Sequence, residues 1–480
     1  MSEKWLPCRQ EWLRLYRRVR SLTRRDDAED HLQSAFVNYL ERPDGSIGHP
    51  EAYITRSAVN LSHNARRREQ VGCIAPGGWD DMLGEVRDTA PTQEEAYQAR
   101  ERLIRFHAGC QHYEEGYYTA WRNIANEPID FVFHYGDYIY EGPDSKGRVH
   151  DMNDRPFQAL RRHVGPECYS LDEYRRRYAQ YKTDPDLQAA HAAVPWIVTS
   201  DDHEVDNNWA GDTDQDGTPP EIFRLRRQAA MQAYYEHMPL RLSALPDGSH
   251  MQLYRSLRYG TLMNAFVPDT RQYRSDQVYG DGMAAQGADV WSPNRTMMGA
   301  AQEQWLFDGL GRSDTRWNLL AHQVMMMNLA HRRAPQGELL YSMDQWSGYM
   351  DSRRRLLGFI GAHCHGNVVN VTGDAHRHFA GDLLTDPGQK KPVSVEFLAT
   401  SVTSGADGVG DDDSFSRSVR RENPHLKATT DQRGYVLCDV GPDVWRADLK
   451  VLDKVMERDG RLSTYASFAV ERGQPGLQQA

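Results

Sequence analysis

The sequence predicts an α/β protein preceded by a small all-α helical domain, and three observations lead there. From Phe106 onward, short apolar runs alternate with charged helical stretches, the pattern of strand–helix units. Three of those runs end in acidic or imidazole side chains. Phe131-Val132-Phe133-His134-Tyr135 leads into Gly136-Asp137, Trp196-Ile197-Val198-Thr199 into Asp201-Asp202-His203-Glu204, and Val368-Val369-Asn370-Val371-Thr372 into Gly373-Asp374-Ala375-His376. Before residue 70, by contrast, apolar residues recur at helical spacing. Gly-Asp also ends ordinary strands in turns. The repetition is what points to a shared metal site, because ligands in open α/β sheets gather outside the carboxyl ends of the strands.

The chain has 480 residues, 39% hydrophobic and 26% charged, enough for two or more domains. A net charge of −11 argues against a mainly nucleic-acid-binding protein and suits one that binds cations. No apolar run reaches the ~18 residues of a membrane span. Met1-Ser2-Glu3-Lys4-Trp5 lacks the apolar stretch of a signal peptide, so a cytoplasmic protein is expected. The six cysteines are scattered, without a CxxC pair, which excludes a disulfide framework or a zinc ribbon.

Taken in order, residues 1–71 read as helices. Trp12, Leu15, Tyr16, Val19 and Leu22 mark the first, and Leu32, Ala35, Phe36, Tyr39 and Leu40 the second. Asp26-Asp27 opens the second and Pro43-Asp44-Gly45 ends it. Pro50 opens a third, carrying Ile54, Ala58 and Leu61 and finishing at Arg66-Arg67-Arg68. The bland reading is a three-helix bundle. The order of Asp26-Asp27-Ala28-Glu29-Asp30, Gln33-Ser34-Ala35-Phe36, Pro50-Glu51-Ala52-Tyr53 and Asn60-Leu61 before the arginines resembles the core-binding and −10-recognition region of extracytoplasmic-function sigma factors, over roughly residues 10–70. That resemblance implies RNA polymerase or promoter DNA as a partner, although the promoter-reading helix-turn-helix half is missing. Residues 72–105 read as a linker with breakers at Pro76-Gly77-Gly78 and Ala90-Pro91, closed by a short helix at Gln93–Arg105.

Residues 106–480 form the α/β domain. Phe106–Gln111 reads as strand and turn. Thr119–Asn126, Leu171–Lys182, Glu221–His237, Gln302–Leu310 and Asp351–His363 read as helices. Val324-Met325-Met326-Met327 is core packing. Nine blocks stand in the order of one family: Cys110-Gln111-x-Tyr113-Glu114-x-Gly116-Tyr117, Gly136-Asp137-Tyr138-Ile139-Tyr140-Glu141-Gly142, Asp201 to Asn208, Asp269-Thr270-Arg271, Gln302 to Leu306, Asp344-Gln345-Trp346, Gly373 to His376, Glu396-Phe397 with Thr400-Ser401, and Arg433-Gly434-Tyr435. By these, Phe106–Val440 resembles the metallophosphatase domain of PhoD-like alkaline phosphatases and phosphodiesterases.

The resemblance implies a two-sheet αββα sandwich and a metal-dependent phosphoric ester hydrolase. It implies a ferric ion, Fe3+, beside calcium, Ca2+. By position, Cys110, Asp137, Tyr140 and His376 match the iron side, and Asp374 with the Asp202–Asn207 segment, including Asn207, the calcium side. The residue chemistry agrees. Thiolate and imidazole suit a transition metal, while carboxylate oxygens suit Ca2+, Mn2+ or Mg2+. Asp137 is the natural bridge, and two metals ~3.5–4 Å apart clamp the attacking and leaving oxygens of an in-line displacement. Cys110 reads otherwise as a core cysteine and Tyr140 as a half-buried tyrosine. His203 contacts phosphate, protonates the leaving group, or makes a structural hydrogen bond. Arg271 offers a bidentate fork to phosphate or is solvated. The substrate is a phosphate ester, mono- or diester. The competing expectation is a polymerase-docking regulator carrying an inactive phosphatase fold. Completeness of the metal ligands favours the enzyme.

Overall fold

The computed structural model describes residues 9–23, 28–40, 49–71, 102–150 and 155–480, and the chain divides into two compact units, Met1–Ala90 and Pro91–Ala480. The described part of the first unit is three helices, Arg9–Thr23, Ala28–Leu40 and Pro50–Val71. Leu15 and Val19, Leu32, Ala35 and Tyr39, and Ile54 and Ala58 meet in one small core, as their spacing requires. Proline at the head of the third helix has no amide to leave unpaired, and Glu51 in its first turn suits the helix dipole. That helix runs on past Arg66–Arg68 to Val71, since arginine is a good helix former and stops nothing. The Asp26-Asp27 start, the Pro43-Asp44-Gly45 stop and the 72–95 boundary lie outside the described residues.

The second unit contains two seven-stranded sheets. One runs, in spatial order, Gln474–Gln479, Leu462–Glu471, Val444–Leu452, Gly434–Val440, Leu103–Ala108, Phe131–His134, Trp196–Val198. Its last three strands are parallel, and Gly434–Val440 joins Leu103–Ala108 antiparallel. The other runs Leu426–Thr430, His378–Leu383, Ser394–Leu398, Val368–Thr372, Trp317–Ala321, Met263–Val267, Arg255–Tyr259. Four of its strands, from Ser394–Leu398 to Met263–Val267, are parallel.

Alternation along the strands divides the core. Phe131 and Phe133, Leu319 and Ala321, and Val369 and Val371 join a cluster drawn from both sheets. Their neighbours turn outward, Val132 to helices Thr119–Ala125, Leu171–Tyr181 and Pro220–His237, and Leu320 and Val368 to helices Gly299–Arg312 and Met350–His363. Strands buried on both faces read as continuous apolar runs, which is how these appear in the sequence.

One element corrects the sequence reading. The helix expected over Gln93–Arg105 does not reach Arg105, because Leu103–Ala108 is a strand, and the α/β domain thus begins before Phe106. An arginine and a histidine interrupt the run and conceal it. Both are buried, with the Arg105 guanidinium 3.7 Å from the Trp445 ring centre, a cation–π contact. Helices Pro185–Ala193 and Ser414–Glu422 were not expected; the Asp184 and Asp413 carboxylates cap their first turns. No described helix is long and apolar enough to cross a membrane.

Candidate metal centre

Four predicted ligands sit on strained backbone. Cys110, Asp137, Asp374 and His376 have φ of +50°, +54°, +68° and +52°, four of the nine non-glycine residues with positive φ among the described residues. Each costs of order 1–3 kcal/mol and persists only where its surroundings hold it; such residues collect at functional sites. Here the surroundings are visible. Gly136 has φ +126°, and a Cβ on it would lie 2.5 Å from the Asp201 amide nitrogen. The buried Glu204 carboxylate accepts from the backbone N–H of Asp137 at 3.1 Å, of Asp201 at 2.6 Å and of Tyr138. One side chain thus ties together the loops after two adjacent parallel strands. Cys110 N–H donates to Gly136 O at 3.1 Å, and Ser404 Oγ to Cys110 O at 2.8 Å. The Tyr135 ring fills the space a Cβ would need at both Gly109 and Gly373, so it spaces the Cys110 loop from the Asp374–His376 loop.

These loops bring three groups of ligand atoms together. Cys110, Asp137 and His376 form one, Asp137, Asp202 and His203 a second, and Asp201, Asp202 and Asp374 a third, with the atoms of each within 4.8 Å of one another. Asp137 and Asp202 each belong to two groups. The Tyr140 hydroxyl lies 2.9 Å from Asp137 Oδ2 and 3.1 Å from His376 Nε2. Three aspartates share one arrangement. Asp137 Oδ2 is held by Tyr140, Asp201 Oδ1 by Arg271 Nε at 2.6 Å, and Asp202 Oδ2 by the Asn208 amide at 2.8 Å. The other oxygen of each is buried without a hydrogen-bond partner. Orphaned buried acceptors are costly, and cations held by the groups these aspartates belong to would satisfy them. The donor set fits two kinds of metal: thiol, phenol, imidazole and carboxylate at one end, carboxylates alone at the other.

The electrostatics agree. Burial, with Asp137 and Asp374 adding, pushes the Cys110 thiol well above its ordinary range. Burial and Asp202 push Asp137 up, and burial lifts Asp374 to about 7 despite Arg271. Without a cation Asp137, Asp201 and Asp374 resist carrying their charge, which a metal would reverse, whereas against burial Arg271 and His203 hold Asp202 below its ordinary range. Burial, Arg433 and His203 hold His376 neutral, down to about 3, leaving its lone pair for a metal. His203 lies between Asp137, Asp202 and Glu141, and its Nδ1 is 2.7 Å from Glu141 Oε2.

One expected residue is placed differently. Arg271 is not a free fork. It is fully buried, with Nε on Asp201 at 2.6 Å, Nη1 on Asp344 at 2.8 Å and Nη2 on Asp374 at 3.3 Å. A cluster this acidic needs an internal counter-charge and takes its donors. Asn207 stands next to this cluster: its side-chain N–H donates to Gln215 Oε1 at 2.7 Å, and its backbone N–H to Glu141 Oε1 at 2.9 Å. Sequence reasoning missed Glu141, Asp201, Glu204 and Gln345 as site residues. Glu204 had a readable signal: an acid three residues after Asp201, reaching back to its amide, is half of a capping box. A cavity of about 320 Å³ shares Asn208, Asp344 and Asp374 with this centre.

With this geometry in view, comparison with known proteins is informative. Alkaline phosphatase D of Bacillus subtilis (strain 168) is 46% identical over 381 residues, 78% of this chain. The chain spans 63% of that relative's length. The solved structure described as "Structure of PhoD" matches with a TM-score of 0.75 at 44% identity, covering 79% of this chain and 72% of the other. Neither these relatives nor the family match gives support to the sigma-factor resemblance of residues 10–70. The model of the PhoD-like phosphatase family matches residues 105–449, well over half of the sequence and every residue of the three ligand groups, and the chain belongs to that family.

Proposed function

We propose that the chain hydrolyses phosphate esters, monoesters or diesters, at a two-metal centre. Cys110, Asp137, Tyr140 and His376 would hold a ferric ion. Asp201, Asp202 and Asp374 would hold calcium, with manganese or magnesium the alternatives at this all-oxygen end. The observation that carries the reading is the trio of aspartates, each with one oxygen pinned and one buried without a partner, in a chain of this family. Bound metals supply Lewis acidity at the phosphoryl oxygens and a nucleophile from water at neutral pH.

The chain's own residues supply the rest. Asp137, common to two ligand groups, fixes their spacing. Glu141 holds His203 Nδ1, which orients the ring and leaves Nε2 as the atom to give a proton to the departing ester oxygen. Arg271 and Gln345 orient Asp374. Glu204 keeps the Asp137 and Asp201 loops in register. The test is metal analysis of the purified protein together with turnover of phenyl phosphate and diphenyl phosphate. Iron plus a second metal, and hydrolysis of one ester or both, are expected. Asp137→Ala should abolish turnover and lower metal content. Near wild-type turnover in that variant would overturn the reading.

A further inference from the structure

We infer that the cavity beside the metal centre seats the organic group of the ester, and that this group is uncharged and largely apolar, of phenyl size or larger. The inference rests on the phosphoester-hydrolase reading and adds its substrate class.

Position comes first. The cavity shares Asp374 with the ligand groups, so a phosphate held there directs one of its ester substituents into this space. Its volume of about 320 Å³ falls at the lower end of small-molecule sites, roughly 300–1,000 Å³, and admits a fused aromatic ring or a short branched chain. Its walls away from the metals are Met283, Leu329, Phe379 and Phe415, supplied by four separate segments of the chain.

Charge narrows the choice. Of the lining residues, Arg377 is the one permanent cation, and its charge is matched by Asp413 at 2.5 Å and Asp431 at 3.5 Å, with Ser416 Oγ at 2.6 Å, although its Nε has no partner. Of the lining acids, Asp344 and Asp374 are paired with Arg271, and Asp281, which accepts from Asn208 Nδ2 at 2.8 Å, adds a negative charge that no arginine is seen to match. A second phosphate or a carboxylate on the organic group meets Asp281 and no lining cation whose charge is unmatched. Nucleoside triphosphates and carboxylated esters are therefore disfavoured, whereas an apolar group gains by burial. One polar anchor exists. His331 lines the cavity with its ring 4.8 Å from that of Phe415, and its buried Nδ1 has no hydrogen-bond partner. It can receive or give a single hydrogen bond to a hydroxyl or carbonyl on the ester group.

In the hydrolysis, the water oxygen bonds to phosphorus and the bond from phosphorus to the ester oxygen breaks. Its electron pair stays on that oxygen, which takes up a proton. The alcohol is left in the cavity and the phosphate at the metal centre.

Three alkyl phosphates with similar leaving groups test this on the full chain as purified: ethyl, 3-phenylpropyl and 3-carboxypropyl phosphate. The phenylpropyl ester should show kcat/KM at least about 10-fold above the ethyl ester, carried by KM, and the carboxypropyl ester no gain. Phe415→Ala should shrink the phenylpropyl-to-ethyl ratio several-fold, and Phe415→Leu should restore most of it. The ratio is internal to each preparation, so partial unfolding cancels. A second readout needs no turnover: by calorimetry 3-phenylpropylphosphonate should bind more tightly than ethylphosphonate, with a negative heat-capacity change. Turnover of all three esters with a flat ratio, or preference for the carboxylated ester, would overturn the inference and leave the hydrolase reading intact. Turnover of none of these, nor of phenyl or diphenyl phosphate, would overturn the hydrolase reading and this inference with it; turnover of diphenyl phosphate alone leaves the hydrolase reading standing, and equal binding of the two phosphonates then overturns the inference.

Discussion

Arg271 holds much of the centre's charge in balance although it binds no metal. Its guanidinium contacts Asp201, Asp344 and Asp374 and lies 3.7 Å from Asp202. Removing one partner of a buried charge network strands the others, at about 3–5 kcal/mol. Arg271→Met should therefore lower the stability of the metal-free protein by about that amount in denaturant titration. Arg271→Lys should recover only part, because an ammonium cannot reproduce the fork. At Cys110, serine keeps the size and loses the soft donor. Cys110→Ser should cut iron retention sharply while leaving the fold intact by circular dichroism; unchanged iron content would make Cys110 a core residue. Glu141→Gln tests His203 through its orientation. Loss of general-acid efficiency should lower kcat by about 10²-fold with little change in KM. Most members of the three clustered groups were legible as candidates because Asp and His recur at the ends of three apolar runs. Arg271 was misjudged because polar flanking residues suggest solvent, and only the folded chain shows four carboxylates converging on it.

At the scale of elements, the site depends on tight junctions between strand and loop. Gly136 is one of them: a Cβ there would lie 2.3 Å from Asp201 Cβ, on backbone already at φ +126°. Gly136→Ala should destabilise by more than about 2 kcal/mol, combining strain with steric overlap, and should reduce metal binding by parting Asp137 from Asp201. A melting temperature within a degree of wild type would refute this. The three strands that end in the clustered acids and five of the helices were readable from apolar runs and helical periods, with ends displaced by at most three residues. The Leu103–Ala108 strand was not, because Arg105 and His107 mimic a solvated segment, yet each is buried with a partner, the Trp445 ring for one and Thr372 O at 2.6 Å for the other. Ser414–Glu422 escaped for the opposite reason, a polar helix whose single deeply buried aliphatic residue is Val419.

Across the whole molecule, buried histidines set one component of acid stability. Burial lowers His107, His134 and His322 to about 3 from an ordinary value near 6.5. Below 6.5 the unfolded chain binds protons that the folded chain refuses until about pH 3, so each contributes stability that is lost as pH falls through that window. His322→Leu should flatten the dependence of unfolding free energy on pH between 6 and 4 by one proton, about 1.4 kcal/mol per pH unit, and leave it unchanged above pH 7. An unaltered slope would show that His322 takes up its proton inside the fold. The sheet order carries a consequence in time. Leu103–Ala108 lies between Phe131–His134 and Gly434–Val440, so one edge of an early-made strand waits for a segment made more than 300 residues later. Asp374 and His376 follow Asp202 by about 170 residues, roughly 10–30 s of synthesis at ~5–20 residues per second. A nascent chain emerging from the ribosome therefore displays Cys110, Asp137 and Asp202 as an incomplete set with an unpaired strand beside them. The full set of candidate ligands exists only late in the synthesis of this chain, and the unpaired strand edge before then is the kind of surface that exposes a nascent chain to aggregation.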